Sequence, residues 1–480
     1  MAKRWMVGAI LALGMLPAPS PAQVFSFGQK PQSKADSAFS NDVELPNPEF
    51  CPEHKKHPVP GPEFAPDPGI TPYLPMEEED RNAFRDYKYA GDNPSPLLFW
   101  VKGEYLNWAV KDGNIPVILA TTSSAPNVVN NFGALNQSAT QVLFGSGPYS
   151  YDRLQGGRIT GGFSPGVFFP IEVGGFWLNK DINLFGARSN GSAASRVLTI
   201  PFQDPTRTAA PLNSTFIPLE TGSSAGFPGL VSGSINVAGS FSLWGVDTNL
   251  FLPLFGTEVF FADVYAGYRH VTLDEDLQIT KTLAPAAPFV RINFNGDSTG
   301  FGPGFRTITS DRFDCQNLFN GGQLGFRTGF SFGRLGLLFD SKLALGQNHQ
   351  IINVAGASTL ETPALALRGP SSNIGVPGGV LAVASNSGRF THNAFSVIPE
   401  LDVNVGFQLF RSTRIFAGYT LMMMTNVVRP GDQLNNIVDA RQIPTNATFV
   451  PGLIGTSPGR SFVSSDFWAQ GVNFGILFGF

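Results

Sequence analysis

Few residues in this chain have the types and spacing that catalysis needs. It contains five histidines. His270, His349 and His392 each fall near one end of an alternating apolar segment, and Asp274, Glu275 and Asp276 follow His270. A carboxylate set against an imidazole can activate water, so the group admits a hydrolase at the rim of the fold. His349 and His392 sit on consecutive segments and could approach each other. No Asp/His spacing motif ties them together, so polar residues at strand ends are the plainer reading and no catalytic residue is assigned. Cys51-Pro-Glu-His54-Lys-Lys-His57 sets ligand types at intervals of three, a spacing zinc tolerates. In its polar surroundings it reads as solvated tail, and neither metal nor cofactor is assigned. Cys315, the other cysteine, is expected on the opposite side from Cys51, with no disulfide between them. Arg429-Pro-Gly-Asp432 is a turn signal; its two charges either pair across the turn or fold the connection inward. Gly161-Gly162 and Gly321-Gly322 lack phosphate-loop spacing, and no Gly-x-Ser-x-Gly elbow has a plausible triad.

The larger chemical group is a set of charges buried in otherwise apolar segments. It comprises Lys102, Glu104, Arg158, Glu172, Asp247, Asp263, Arg269, Arg327, Asp340, Lys342, Glu400 and Asp402. Period two puts each on the face opposite a row of bulky apolar residues. Val397, Leu401, Val403, Val405 and Phe407 oppose Glu400, Asp402 and Asn404, and Leu335, Leu337, Phe339, Leu343 and Leu345 oppose Asp340 and Lys342. Both signs occur in similar number. Either they pair across an enclosed lumen and plug it, or they line a narrow hydrated path.

Ten alternating segments carry these charges, near 98–110, 155–163, 166–178, 237–252, 257–279, 318–332, 335–352, 393–409, 413–427 and 466–480. The connections between them alternate long and short without exception. That is the rule of an up-and-down barrel with short turns on one side of a membrane and long loops on the other. Pro170 and Pro399 fall inside these segments, where a bulge or a broken ladder is expected.

Composition agrees. Charged residues make up 14%, against roughly 25% in ordinary soluble chains. With 43 Phe and 54 Gly, mean hydropathy is only +0.03. A barrel averages near zero because outward apolar residues alternate with inward polar ones. The net charge of -4 argues against a nucleic-acid partner. Lys3 and Arg4 precede an apolar run that ends before Ser20-Pro-Ala22, which reads as a signal peptide over 1–22. Residues 23–96 read as a disordered, Pro-rich periplasmic tail, and 97–480 as the barrel. The fold class is therefore all-β: a closed, antiparallel transmembrane β-barrel of about ten strands behind a disordered tail, with both termini periplasmic.

The last segment closes the ring. Trp468, Val472, Phe474, Ile476, Phe478 and Phe480 share one face, and the chain ends on an aromatic residue. That ending is typical of bacterial outer-membrane barrels. It implies outer-membrane lipid around the bulky face and barrel-assembly machinery as a partner of this strand. Its expected neighbours are 413–427 and 98–110. A structural barrel or narrow pore follows, not an enzyme; oligomeric state stays open.

Five stretches carry a family resemblance: Phe99-Trp-Val-Lys-Gly-Glu-Tyr-Leu106, Gly321-Gly-Gln-Leu-Gly-Phe-Arg327, Leu345-Gly-Gln-Asn-His-Gln350, Asn426-Val-Val-Arg-Pro-Gly-Asp-Gln433 and Ser465-Asp-Phe-Trp-Ala-Gln-Gly-Val-Asn-Phe-Gly475. In these, and in their order, the chain resembles outer-membrane beta-barrel porin family seven over about 98–480. Asn107-Trp-Ala109 departs from the more apolar aromatic run expected there. The resemblance implies an integral outer-membrane barrel, and the word porin implies transport.

Overall fold

The computed structural model describes residues 98–480, apart from 124–132, 134, 136–139, 165–168, 207–222, 258, 289, 302 and 365–370. The expected signal peptide, the tail and the Cys51–His57 stretch lie outside the described residues. Ten long strands form one ring: β1 Leu98–Val110, β2 Arg153–Ser164, β3 Ile171–Ser189, β4 Val231–Gly256, β5 Phe260–Pro285, β6 Arg306–Phe332, β7 Leu335–Thr362, β8 Gly388–Phe410, β9 Thr413–Val428 and β10 Ser464–Gly479. Each pairs antiparallel with its chain neighbour, and β1 pairs with β10. The closing register runs from Trp100 opposite Gly479 to Val110 opposite Ala469. Phe99 and Phe480 exchange both backbone hydrogen bonds at its lower end, at 3.3 and 2.8 Å. A closed ring leaves no unpaired edge in lipid, the condition a membrane sheet must meet.

Short turns join the strands at one end, as at Gly333-Arg334, where Gly333 takes a φ of +63°. The other end carries the long connections. A small sheet of Gly113–Ser123, Thr140–Tyr149, Val197–Ile200 and Ser223–Gly226 is built from them, and Ser372–Pro377 extends the top of β7.

The strands run further toward the long connections than the sequence suggests. β6 begins at Arg306, not near 318, and has 27 residues; a barrel strand needs only about 9–11 to cross a bilayer. β4, β5, β7 and β8 extend likewise. The cause is an inversion of polarity along unbroken strands. In lower β4, Leu250 and Leu252 point outward and exposed, while Asn249 is buried inward. In upper β4, Ile235, Val237, Phe241 and Leu243 are buried inward, and Ser234, Asn236, Ser240 and Ser242 alternate outward. β5 and β6 switch in the same way above Tyr268 and Asn320. Inward parity does not change along these three strands. The outer surroundings change from lipid to water, so the outward residues turn polar and the inward ones can pack as an ordinary apolar core.

Pro170 lies just before β3, and its carbonyl accepts from Phe251 N at 2.9 Å. Pro399 sits within β8 opposite Leu343 of β7. On its other side, the ladder to β9 stops at Glu400 opposite Met422. The expected break is thus one-sided.

Candidate functional site

The lumen of the short-turn half is crossed by ion pairs between strands far apart in sequence. Arg327 of β6 holds Glu172 of β3 through two bonds, at 2.9 and 3.0 Å, and Asp340 of β7 at 2.7 and 2.8 Å. Its guanidinium lies 4.5 Å from the Phe251 ring centroid, and Tyr265 donates its hydroxyl to Asp340. Arg158 of β2 reaches Asp402 of β8 at 3.2 Å, with Glu400 at 3.8 Å and Glu104 at 3.9 Å. Glu400 also takes Arg269 and, at 3.2 Å, Lys342. Lys102 pairs with Glu104 at 3.0 Å. Asp247 accepts from Asn249 at 2.9 Å, and Asp263 is buried opposite Arg327 in the β5–β6 register.

A cavity of about 900 Å³, counting the part open to solvent, lies among these groups; Lys102, Arg158, Glu172, Asp247, Arg269, Arg327, Asp340, Lys342, Glu400 and Asp402 all border it. Glu104 and Asp263 do not. Pairing is what makes such burial tolerable, since each isolated ion would cost several kcal/mol, on the order of a full side chain's burial energy.

Above this layer the lumen turns apolar. Trp108 marks the boundary. It faces inward, 5.4 Å from the Arg158 guanidinium, and donates to Asn473 at 2.7 Å. Asn473 in turn donates to Thr420 at 2.5 Å, and Thr420 to Asp402. The departure at Asn107-Trp-Ala109 is thereby explained: this segment of β1 puts its aromatic residue into the lumen, not toward lipid. Higher still, Phe241, Leu273, Phe313, Phe319 and Phe467 pack inside the ring.

Two long connections complete that core from above. Val380, Leu381, Ala382 and Val383 are fully buried. Their chain is clasped by buried Asp311 of β6, whose Oδ1 accepts from three successive backbone amides at 2.7–2.9 Å. The connection after β9 enters through Arg429, which is 3% exposed. Arg429 meets Glu275 of β5 at 2.6 and 2.8 Å and donates to the Asp112 and Lys111 carbonyls at 2.7 and 3.2 Å. Of the two readings of Arg429-Pro-Gly-Asp432, the inward fold is the observed one, and Asp432 instead accepts from Ser465 at 3.1 Å. Burial lowers the Arg429 guanidinium, and the Glu275 carboxylate outweighs this and leaves it raised. Burial first, then Glu275, pushes the Tyr149 and Tyr151 phenols up, so both stay neutral beside the ion pair.

Glu275 and Asp311 were not among the lumen charges legible in the sequence. For Glu275 the signal was present: parity sets it inward with Leu273 and Leu277, while Asp274 and Asp276 alternate outward.

The histidines do not converge. His349 faces outward and pairs with Asn393 at 2.6 Å, whereas His392 bonds Gln350 at 3.1 Å from the opposite face of the same register. His270 points outward at the top of the apolar belt, against Trp244, Asn320 and Thr272. No cluster of three or more metal-ligand side chains occurs among the described residues. Cys315, expected in a connection, lies within β6 and is sealed in the apolar core.

Residues 100–480 match the family model described as Putative beta barrel porin-7 (BBP7). No curated protein matches the chain. Among solved structures it is similar to the outer membrane protease OmpT from Escherichia coli, with 8% identity over 82% of this chain and 99% of that one and a TM-score of 0.34. It is also similar to the P. putida toluene transporter TodX, with 8% identity, 84% and 92% coverage and a TM-score of 0.16. The Ralstonia pickettii toluene transporter TbuX gives 10% identity, 81% and 92% coverage and a TM-score of 0.16.

Proposed function

The chain belongs to the beta barrel porin-7 family, a family of outer-membrane β-barrels, and we propose that it is a barrel closed along its axis by its own lumen. The short turns and both chain ends then face the periplasm, and the long connections face outward. The observation that carries this reading is the stacking of two different seals. Ion pairs cross the lower lumen, and an apolar core held by the Arg429–Glu275 pair fills the upper one. The twelve inward charges act here as a cross-brace, not as the lining of an open path. The family's transport role then takes the form of gated or restricted passage, with a structural role in the envelope. The bulky face of β10, with Trp468, Phe474, Phe478 and Phe480, contacts outer-membrane lipid, and the same strand is what the barrel-assembly machinery engages.

Planar-bilayer recording tests the reading. Wild-type protein, inserted and folded, should give no stable ohmic steps. Arg429→Ala should release the connection after β9 and introduce flickering conductance. Steady ohmic steps in the wild type, reduced when Arg327 or Asp402 is neutralised, would instead establish a narrow permanent path.

A further inference from the structure

The backbone ladder of the barrel wall is interrupted between β8 and β9. Their backbone ladder ends at Glu400 opposite Met422, and Pro399, next above, has no N–H to offer. Yet the wall continues upward inside the apolar belt: Phe395 and Met423 still face outward and are exposed. Backbone groups there would be stranded in lipid, where no water can satisfy them. Three side-chain bonds replace the ladder. Val397 N donates to Thr425 Oγ1 at 3.0 Å, Ser396 Oγ to the Thr425 carbonyl at 2.6 Å, and Asn426 Nδ2 to the Phe395 carbonyl at 2.7 Å.

The reason for the break lies in β9. Its ladder to β10 is irregular between Met424 and Val427, and Asn426 takes a φ of +54°. From there β9 leans into the lumen. Asn348 and Gln350 of β7 donate to the Asn426 carbonyl at 2.7 and 2.6 Å, and Asn317 of β6 binds both backbone groups of Val428 at 2.8 Å. Above the stitched stretch, ring contacts cover β8: Arg460 over Phe390 at 4.9 Å and Phe462 against His392 at 5.3 Å.

Behind the stitches the interior is apolar. Ile398, Met422 and Met424 are fully buried there. Methionines repack readily around irregular shapes. The charged layer begins immediately below, where Arg269 meets Glu400 and lies 3.4 Å from the Met422 sulfur.

We propose that the β8–β9 seam above Pro399 is a lateral port, through which small uncharged apolar molecules dissolved in the bilayer enter the lumen and bind against Ile398, Met422 and Met424. The proposal rests on the axial closure argued above, which leaves the side wall as the route in. Neutral apolar chemistry follows from the walls: Ile398, Met422 and Met424 carry no charge and no N–H or O–H, so a charged molecule bound against them would lose its hydration without replacement.

The test uses full-length protein in nanodiscs and a diazirine-bearing alkane as the probe. Illumination followed by mass spectrometry should find label on the inward residues Ile398, Met422 and Met424 as well as on outward Val397 and Met423. A Ser396→Cys/Thr425→Cys pair, in a Cys51→Ser/Cys315→Ala background, staples the seam. Oxidation should abolish the inward labelling while leaving the outward labelling, and reduction of the same sample should restore it. That reversal excludes misfolding as the cause. Inward labelling that is absent in the wild type, or unchanged by the staple in a barrel that conducts no current, overturns the port. Inward labelling that survives the staple in a barrel with ohmic conductance overturns the axial closure on which the port rests.

Discussion

The lower and upper halves of this barrel are made from the same strands, in β4, β5 and β6 with the same inward parity, yet their chemistry is opposite. Below, outward residues such as Leu250, Phe326 and Val405 are apolar, and the inside holds Arg158, Arg269, Arg327 and their carboxylates. Above, the outside carries Ser240, Asp276 and Arg312, and the inside is packed with Phe241, Leu273 and Phe313. The contrast teaches that inwardness is a property of the pleat, whereas polarity is set by what the outer face meets. Where the outer face must be apolar to meet lipid, the sequence places its polar residues inside and must pair them. Where water surrounds the ring, the inside is free to be a hydrophobic core.

The sharpest way to break this comparison is to strand a charge in the lower half. Arg327→Met leaves Glu172 and Asp340 buried without their cation, and it should cost about 3–5 kcal/mol, read from urea unfolding in micelles. Replacing all three residues by apolar ones should recover most of that loss. A loss below about 1 kcal/mol for Arg327→Met would mean that water solvates the lower lumen.

The outer faces come next. Leu250→Arg places a charge on the lipid-facing side of β4 and should cost about 2–4 kcal/mol near the midplane. It should also lower the folded fraction on unheated gels.

At the boundary between the halves, Trp108→Phe removes the donor to Asn473 and leaves a buried amide oxygen unmatched. The expected cost is about 1–3 kcal/mol, measured by the same unfolding experiment.

The smallest effect belongs to the upper outer face. Ser240→Arg, on the same strand as Leu250 and with the same parity, should change stability by no more than about 0.5 kcal/mol. If the two arginines on β4 behave alike, the polarity inversion does not mark the edge of the bilayer.

Reading the sequence recovered the lower half far better than the upper. All ten strands were legible there because apolar-out, polar-in alternation over Leu335–Leu345 or Val397–Phe407 is what a lipid-facing strand must show. The same expectation hid the upper extensions: at Arg306–Asn317 the alternation persists with its sense reversed, so a search for outward apolar residues ends the strand too early. The histidines stay apart for a related reason. His349 and His392 are neighbours in register, and a difference of one in parity sends their side chains to opposite faces.

By itself the sequence determined the strand number, the order of short and long connections, the alternation of faces along the lipid-facing stretches and the identity of the closing strand. Each of these depends on period-two patterning and chain connectivity, which are local. Only the tertiary structure decided which charges meet, since Arg158 and Asp402 are separated by 244 residues and Arg327 and Glu172 by 155. It alone decided that Arg429 and Val380–Val383 turn inward to fill the upper lumen. Those choices depend on ring closure, which brings distant strands face to face across a lumen too narrow to leave either charge or apolar surface unmatched.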